Sequence, residues 1–164
     1  MNRVIGERQG DSDNVLLVLI GAIHGNETEG IQAIKNIFKT IDEQHLKIKS
    51  NETGIRGNIA AIAANRRYLN RDLNRLWTTD FVNQLKQKDP DTLSTEEKEA
   101  FEMLELLELL SKEPYQKKVL IDLHTTSAEN GNFLVYPGDA IQDAIVASLK
   151  LPVVVNLEKY IQGT

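Results

Sequence analysis

Val15-Leu16-Leu17-Val18-Leu19-Ile20-Gly21-Ala22-Ile23-His24-Gly25-Asn26-Glu27 decides the fold. Six consecutive aliphatic residues, too few for a helix of ordinary length, read as a strand buried on both faces. The glycines and Asn26 then make a tight turn. Beyond it, Ile31, Ile34, Ile37, Phe38 and Ile41 recur at helical spacing. Strand, turn and helix form the first half of a βαβ unit, so the fold class is α/β: a mostly parallel or mixed sheet flanked by helices.

Outward from that stretch the alternation continues. Residues 55–64, after Thr53-Gly54, read as a second strand, with the small residues Ala60, Ala61, Ala63 and Ala64 permitting close packing. Residues 65–93 are polar and irregular, with a short helix around 81–86. Ser94-Thr95-Glu96-Glu97 starts a helix, because Ser94 can cap it and Glu97 can reach back to the cap. Its apolar stripe is Phe101, Leu104, Leu107 and Leu110, and Pro114 stops it. Val119-Leu120-Ile121-Asp122-Leu123 is a third strand, 132–136 a fourth, 140–149 a helix and 153–155 a last short strand. With no repeat, low-complexity tract or interdomain linker, residues 1–164 read as a single α/β domain.

Composition narrows the function. The 19 Lys+Arg and 24 Asp+Glu give a net charge of −5, which argues against a general nucleic-acid binder. At 41% hydrophobic residues the chain is not a disordered one. Zero cysteine removes disulfide frameworks, thiolate zinc sites and iron–sulfur clusters, so any metal is held by nitrogen and oxygen. The longest apolar run, 15–23, contains a glycine and falls far short of the roughly 20 residues that span a bilayer. The N-terminus has no apolar signal region, so a cytoplasmic, membrane-free protein is expected, with the sequons at Asn26 and Asn51 due to chance.

Histidine is scarce: His24, His45 and His124. His24 and His124 each fall at the C-terminal end of an apolar strand, where open α/β sheets place ligand sites. Glu27 follows His24 by three in the turn. Two imidazoles and one carboxylate suit a catalytic zinc with one open position, although spacing alone also allows two ordinary hydrogen-bonded strand-end histidines. His45, among Gln44, Lys47 and Lys49, reads as surface.

Four of the seven arginines (Arg66, Arg67, Arg71, Arg75) fall within ten residues that contain no lysine. The planar guanidinium fork binds carboxylates bidentately, so this cluster on an acidic protein points to a small anionic substrate. A surface ion-pair network with Asp72 and Asp80 accounts for Arg66 and Arg71. A nucleotide loop is a weak alternative, since the Gly21 turn lacks Gly-x-Gly-x-x-Gly and Gly-Lys-Ser/Thr. Ser127 near His124 is a weak candidate for a serine–histidine pair.

Taken in order, Gly21-Ala22-Ile23-His24-Gly25-Asn26-Glu27, Arg67-Tyr68, Asp72-Leu73-Asn74-Arg75 and Asp122-Leu123-His124-Thr125-Thr126 resemble the succinylglutamate desuccinylase/aspartoacylase family, a branch of the zinc carboxypeptidase clan. The resemblance implies a zinc-carboxypeptidase-like (phosphorylase/hydrolase-like) core holding one Zn2+ per chain on His24, Glu27 and His124. It implies that Asp72 accepts from a ligand imidazole, that Asn74 and Arg75 hold a substrate carboxylate, and that Arg67 polarises the scissile carbonyl and stabilises the oxyanion. Asp122 is expected to satisfy backbone or arginine groups nearby.

The implied reaction is hydrolysis of the linear amide of a small N-acyl amino acid. In the family the general base is a glutamate on a later strand, followed by a smaller β-rich domain. Glu129, Asp139 and Glu158 are the late carboxylates here and none sits in a base motif. The chain is therefore expected to be a truncated piece that binds metal with little turnover. Two other readings stand beside this one: a metallocarboxypeptidase acting on peptides, and a non-catalytic zinc-stabilised domain that captures carboxylates.

Overall fold

The computed structural model describes residues 1–11, 14–125, 131–136 and 144–155. Its centre is β2 (Val15–Gly21), flanked in parallel by β3 (Asn51–Arg56) on one side and β4 (Lys117–Leu123) on the other. β1 (Val4–Arg8) closes the sheet as an antiparallel edge on β3, giving the order β1-β3-β2-β4. A separate parallel pair joins β5 (Leu134–Tyr136) to β6 (Val153–Val155), and α5 (Ala144–Ser148) lies between them in sequence. The fold class is thus the α/β arrangement expected, with a mixed sheet.

The continuous apolar run of β2 follows from its central place. Leu16, Val18 and Ile20 enter one core with Leu73, Leu76, Leu85, Leu93, Ala100 and Met103. Leu17 and Leu19 face the opposite way and pack with Ile34, Phe38 and Ile121. Period-two alternation therefore feeds two cores, and helices cover both faces. α1 (Glu29–Glu43) covers the second face with Ile31, Ile34 and Phe38, while Ile37 is exposed on its far side. α1 approaches β2 closely enough that a Cβ on Gly21 would lie 2.6 Å from the Ile31 backbone nitrogen. α3 (Thr79–Leu85) and α4 (Thr95–Leu110) cover the first face.

Two expectations need correction. The strand expected over 55–64 ends at Arg56, and α2 (Ile59–Ala63) follows at once. Asn58 causes the switch: its side chain accepts from the Ala61 N–H and caps the helix, and the alanines after it favour helix. In α4 the capping box of Ser94 and Glu97 forms as expected, but the deepest positions are Glu96, Ala100 and Met103. Phe101, Leu107 and Leu110 are only half-buried against that core. Among the described residues no helix is long and apolar enough to cross a membrane.

Candidate metal centre

The site follows from strand register. β2 and β4 are neighbours and Gly21 pairs with Leu123, so both chains leave the sheet at the same end and level. His24, three residues past Gly21, and His124, directly after Leu123, arrive with ring centroids 5.1 Å apart. The β2 turn is tight: Ala22 is fully buried with φ 61°, the left-handed region that costs a non-glycine residue roughly 1 kcal/mol. Glu27 N–H donates to the His24 carbonyl at 3.0 Å and folds the carboxylate back under the imidazole. Behind this turn lies α2. A Cβ at Gly25 would sit 2.1 Å from the Ala61 carbonyl carbon, so only glycine allows the approach.

His24, Glu27 and His124 each offer a ligand atom, and these atoms lie within 4.8 Å of one another. Glu27 is the hub. Its Oε1 accepts from Arg67 Nη1 at 2.9 Å and meets His24 Nδ1 at 2.9 Å. Its Oε2 accepts from Thr125 N–H at 3.0 Å and meets His124 Nδ1 at 3.2 Å. Burial alone would raise the Glu27 carboxyl. The Thr125 N–H and the charges of His24 and His124 outweigh burial and hold it below the usual carboxylate range.

Each imidazole also meets a carboxylate on its other nitrogen: His24 Nε2 lies 3.0 Å from Asp72 Oδ1, and His124 Nε2 lies 2.7 Å from Asp122 Oδ2. Burial would lower His124, but bonding to Asp122 and Glu27 raises it above the ordinary histidine value. The Asp122 contact corrects the expectation that this residue serves backbone or arginine groups. Along extended chain, side chains two apart share a side, so Asp122 and His124 meet naturally.

This donor set fits a divalent cation. Glu27, Asp72 and Asp122 bring three negative charges and Arg67 one positive, so the groups around the two imidazoles sum to −2 in one hydrogen-bonded cluster. Each ring lies between two carboxylates, so an acceptor faces both of its nitrogens. The two Nδ1 atoms and Glu27 could hold a divalent cation, whose charge would offset that excess, with Asp72 and Asp122 accepting from the outer nitrogens. Asp122 Oδ1, buried without a partner among the described residues, marks the same excess of acceptors. The His24 side chain is 2% exposed and that of His124 33%, so access is from the His124 side.

The arginine segment closes the site. Gly25 N–H donates to the Arg67 carbonyl at 3.1 Å, tying this segment to the β2 turn. Asp72 Oδ1 also accepts from Asn74 N–H at 3.0 Å and caps the short 3-10 turn Leu73–Arg75. Asn74 is buried with Nδ2 3.4 Å from His124 Nε2, whereas Arg75 is exposed and donates from Nη1 to the Asn74 carbonyl. Arg66 and Arg71 are exposed and make no ion pair among the described residues; of the expected network the pair to Asp72 is made by Arg67, Nη2 to Oδ2 3.7 Å, instead. Asp72 is turned inward to His24, and an exposed pair with Asp80 would gain little. His45 is exposed, as expected. Ser127, Glu129, Asp139 and Glu158 lie outside the described residues.

The cluster thus sits at the C-terminal ends of two adjacent parallel strands of a mixed α/β sheet, where open sheets place ligand sites. Residues 14–164 match the family described as "Succinylglutamate desuccinylase/Aspartoacylase catalytic domain", and the chain belongs to that family. A succinylglutamate desuccinylase of Photorhabdus laumondii is 38% identical over 73 residues, 44% of this chain and 22% of that protein. A "Probable aspartoacylase" of Parasynechococcus marenigrum is 31% identical over 136 residues, 80% of this chain and 41% of that protein. The crystal structure of a Vibrio cholerae succinylglutamate desuccinylase aligns with a TM-score of 0.63 at 22% identity, covering 80% of this chain and 38% of that one, and supports the fold. The matched stretches cover 22–41% of these relatives, so the chain spans only part of their length.

Proposed function

We propose that this chain is the metal-binding portion of a zinc-dependent amidohydrolase acting on a small N-acyl amino acid. The observation that carries the proposal is the convergence of His24, Glu27 and His124 within 4.8 Å, with Arg67 bonded to the same carboxylate. A zinc ion held there by the two Nδ1 atoms and Glu27 would supply Lewis acidity toward a carbonyl oxygen and activation of water. Asp72 and Asp122 would fix the two rings by accepting from their outer nitrogens.

Arg67 is the residue placed to meet the acyl carbonyl. Its guanidinium is 46% exposed at the mouth and already donates into the cluster, so a free N–H can serve an oxyanion that forms there. Asn74, which lies 3.4 Å from His124, and its neighbour Arg75 would dock the carboxylate of the amino acid and set the amide next to Arg67. The family includes proteins named for succinylglutamate and for acylated aspartate, so a substrate with several carboxylates suits the arginine-rich segment. The general base is left unassigned. One domain covering residues 1–164, in a cytoplasmic setting, is part of the same proposal.

Calorimetric binding of N-succinylglutamate, N-acetylaspartate and a dipeptide to the zinc-loaded chain tests the reading. The expected result is binding of an acyl amino acid that weakens at least about tenfold in Arg75→Ala, the loss of one charge-assisted contact. Preference for the dipeptide would favour a peptidase, and binding insensitive to both Arg67→Ala and Arg75→Ala would refute the assignment.

A further inference from the structure

α4 sends buried carboxylates toward the backbone of the site. Glu96 is fully buried and makes no ion pair among the described residues. It accepts instead from Leu69 N–H at 2.7 Å and from Asn70 N–H at 3.2 and 3.3 Å. One turn on, Glu99 accepts from Ile59 and Ala60 N–H at 3.0 and 2.9 Å, the first turn of α2, and from Arg3 Nη2 at 2.7 Å. Burying a carboxylate is costly unless its oxygens are satisfied. Both are satisfied here by backbone amides of the segments that carry or back the metal cluster.

The position of Leu69 and Asn70 gives Glu96 its meaning. They lie between Arg67, which bonds Glu27, and Asp72, which bonds His24. The amides of 64–66 bond back to the α2 turn, but residues 67–72 lie in no helix or strand, so for Leu69 and Asn70 the carboxylate takes the place of a ladder. A carboxylate suits the task because both oxygens accept, whereas a glutamine would turn an N–H toward an N–H. The Gly25–Arg67 bond then links the held segment to the β2 turn.

We propose that Glu96 is a positioning residue for the metal centre. It touches no ligand atom, and it fixes residues 67–72 so that Arg67 reaches Glu27 and Asp72 reaches His24. Its effect on metal affinity rests on the zinc reading above, while its hold on the segment rests on the hydrogen bonds alone.

The experiment compares Glu96→Gln and Glu96→Asp with Glu97→Gln, a control at the same helix start. Glu97 bonds Lys88 and Ser94 and contacts no part of the metal cluster. Amide exchange at Gly25 is followed by NMR in the metal-free protein, and zinc affinity is measured by titration. Either Glu96 variant should speed Gly25 exchange about tenfold relative to β2 core amides, the scale of one lost hydrogen bond. It should also weaken zinc about tenfold, as removal of an outer partner does. Glu97→Gln should lower the melting temperature and change neither quantity. The aspartate variant, which keeps the charge but falls short of the amides, serves if the glutamine variant fails to fold. Gly25 exchange that matches the control overturns the proposal. A wild-type chain that binds no zinc refutes the metal reading, and Gly25 exchange still decides the role of Glu96.

Discussion

Replacing Gly25 with alanine strikes the metal centre from behind. The added Cβ would lie 2.1 Å from the Ala61 carbonyl carbon, 2.3 Å from the Ile62 nitrogen and 2.5 Å from the Ala61 oxygen. All three are backbone atoms, so no side chain can rotate away. Ordinary contact begins at 3.4 Å, so α2 and the β2 turn must separate by about 1.3 Å. α2 is held at its start by Asn58 and Glu99, and the turn by the Gly25–Arg67 and Glu27–His24 backbone bonds, so the strain is shared between them. Any part of the displacement taken by the turn falls on His24, the residue before Gly25. Overpacking of this kind costs about 1–3 kcal/mol, or roughly 3–10 °C in melting temperature for a domain of this size. A shift near 1 Å far exceeds the roughly 0.2 Å tolerance of metal–ligand distances, and zinc affinity should fall about 100-fold, as for other 1 Å misplacements in sites. Thermal unfolding of the metal-free protein and zinc titration read the two effects separately. Gly25→Ala with melting temperature and zinc affinity both unchanged would refute the packing argument.

Asp72→Ala and Asp122→Ala should each weaken zinc binding about 10–100-fold, because each removes the carboxylate behind one imidazole; affinities within twofold of wild type, measured by competition with a chelator, would deny Asp122 this role. Glu97 supplies a pH test. Lys88 and the Ser94 N–H hold its carboxyl down at about 2 against 4.5 when free. A lowered carboxyl stabilises the fold above the free value, and that stability is lost as pH falls from 4.5 toward 2. The difference in melting temperature between wild type and Glu97→Gln should therefore shrink across that window; a constant difference would show that the Lys88 bond carries no stability.

What the sequence displayed depended on how local each cause was. The β2 run and its turn were legible because a doubly buried strand needs unbroken apolar residues and a site at its end needs small ones. The helix at Ser94 announced itself by its capping box. β1 was not anticipated: Val4-Ile5-Gly6-Glu7-Arg8 is short, carries charge, and becomes a strand only by pairing with β3. The reading of 55–64 as one strand failed because alanines carry little strand or helix signal by periodicity. Asn58 as a cap was the cue that distinguishes them. Position left His24, Glu27 and His124 open between a metal set and ordinary strand-end residues, and the family resemblance singled them out as a ligand set. Its supports were less visible. Glu96 and Glu99 look like solvated helix-start acids, and only tertiary packing turns them inward. Asp122 was within reach, since residues 122 and 124 share a side of an extended chain.

The central question is whether His24, Glu27 and His124 together bind one divalent ion. Zinc content of the purified chain, determined by mass spectrometry after reconstitution at neutral pH, should be about one per chain for a site of two imidazoles and a carboxylate, and should be lost in both His24→Ala and His124→Ala. A wild-type chain that stays empty, or either variant that keeps its full complement of zinc, would contradict it.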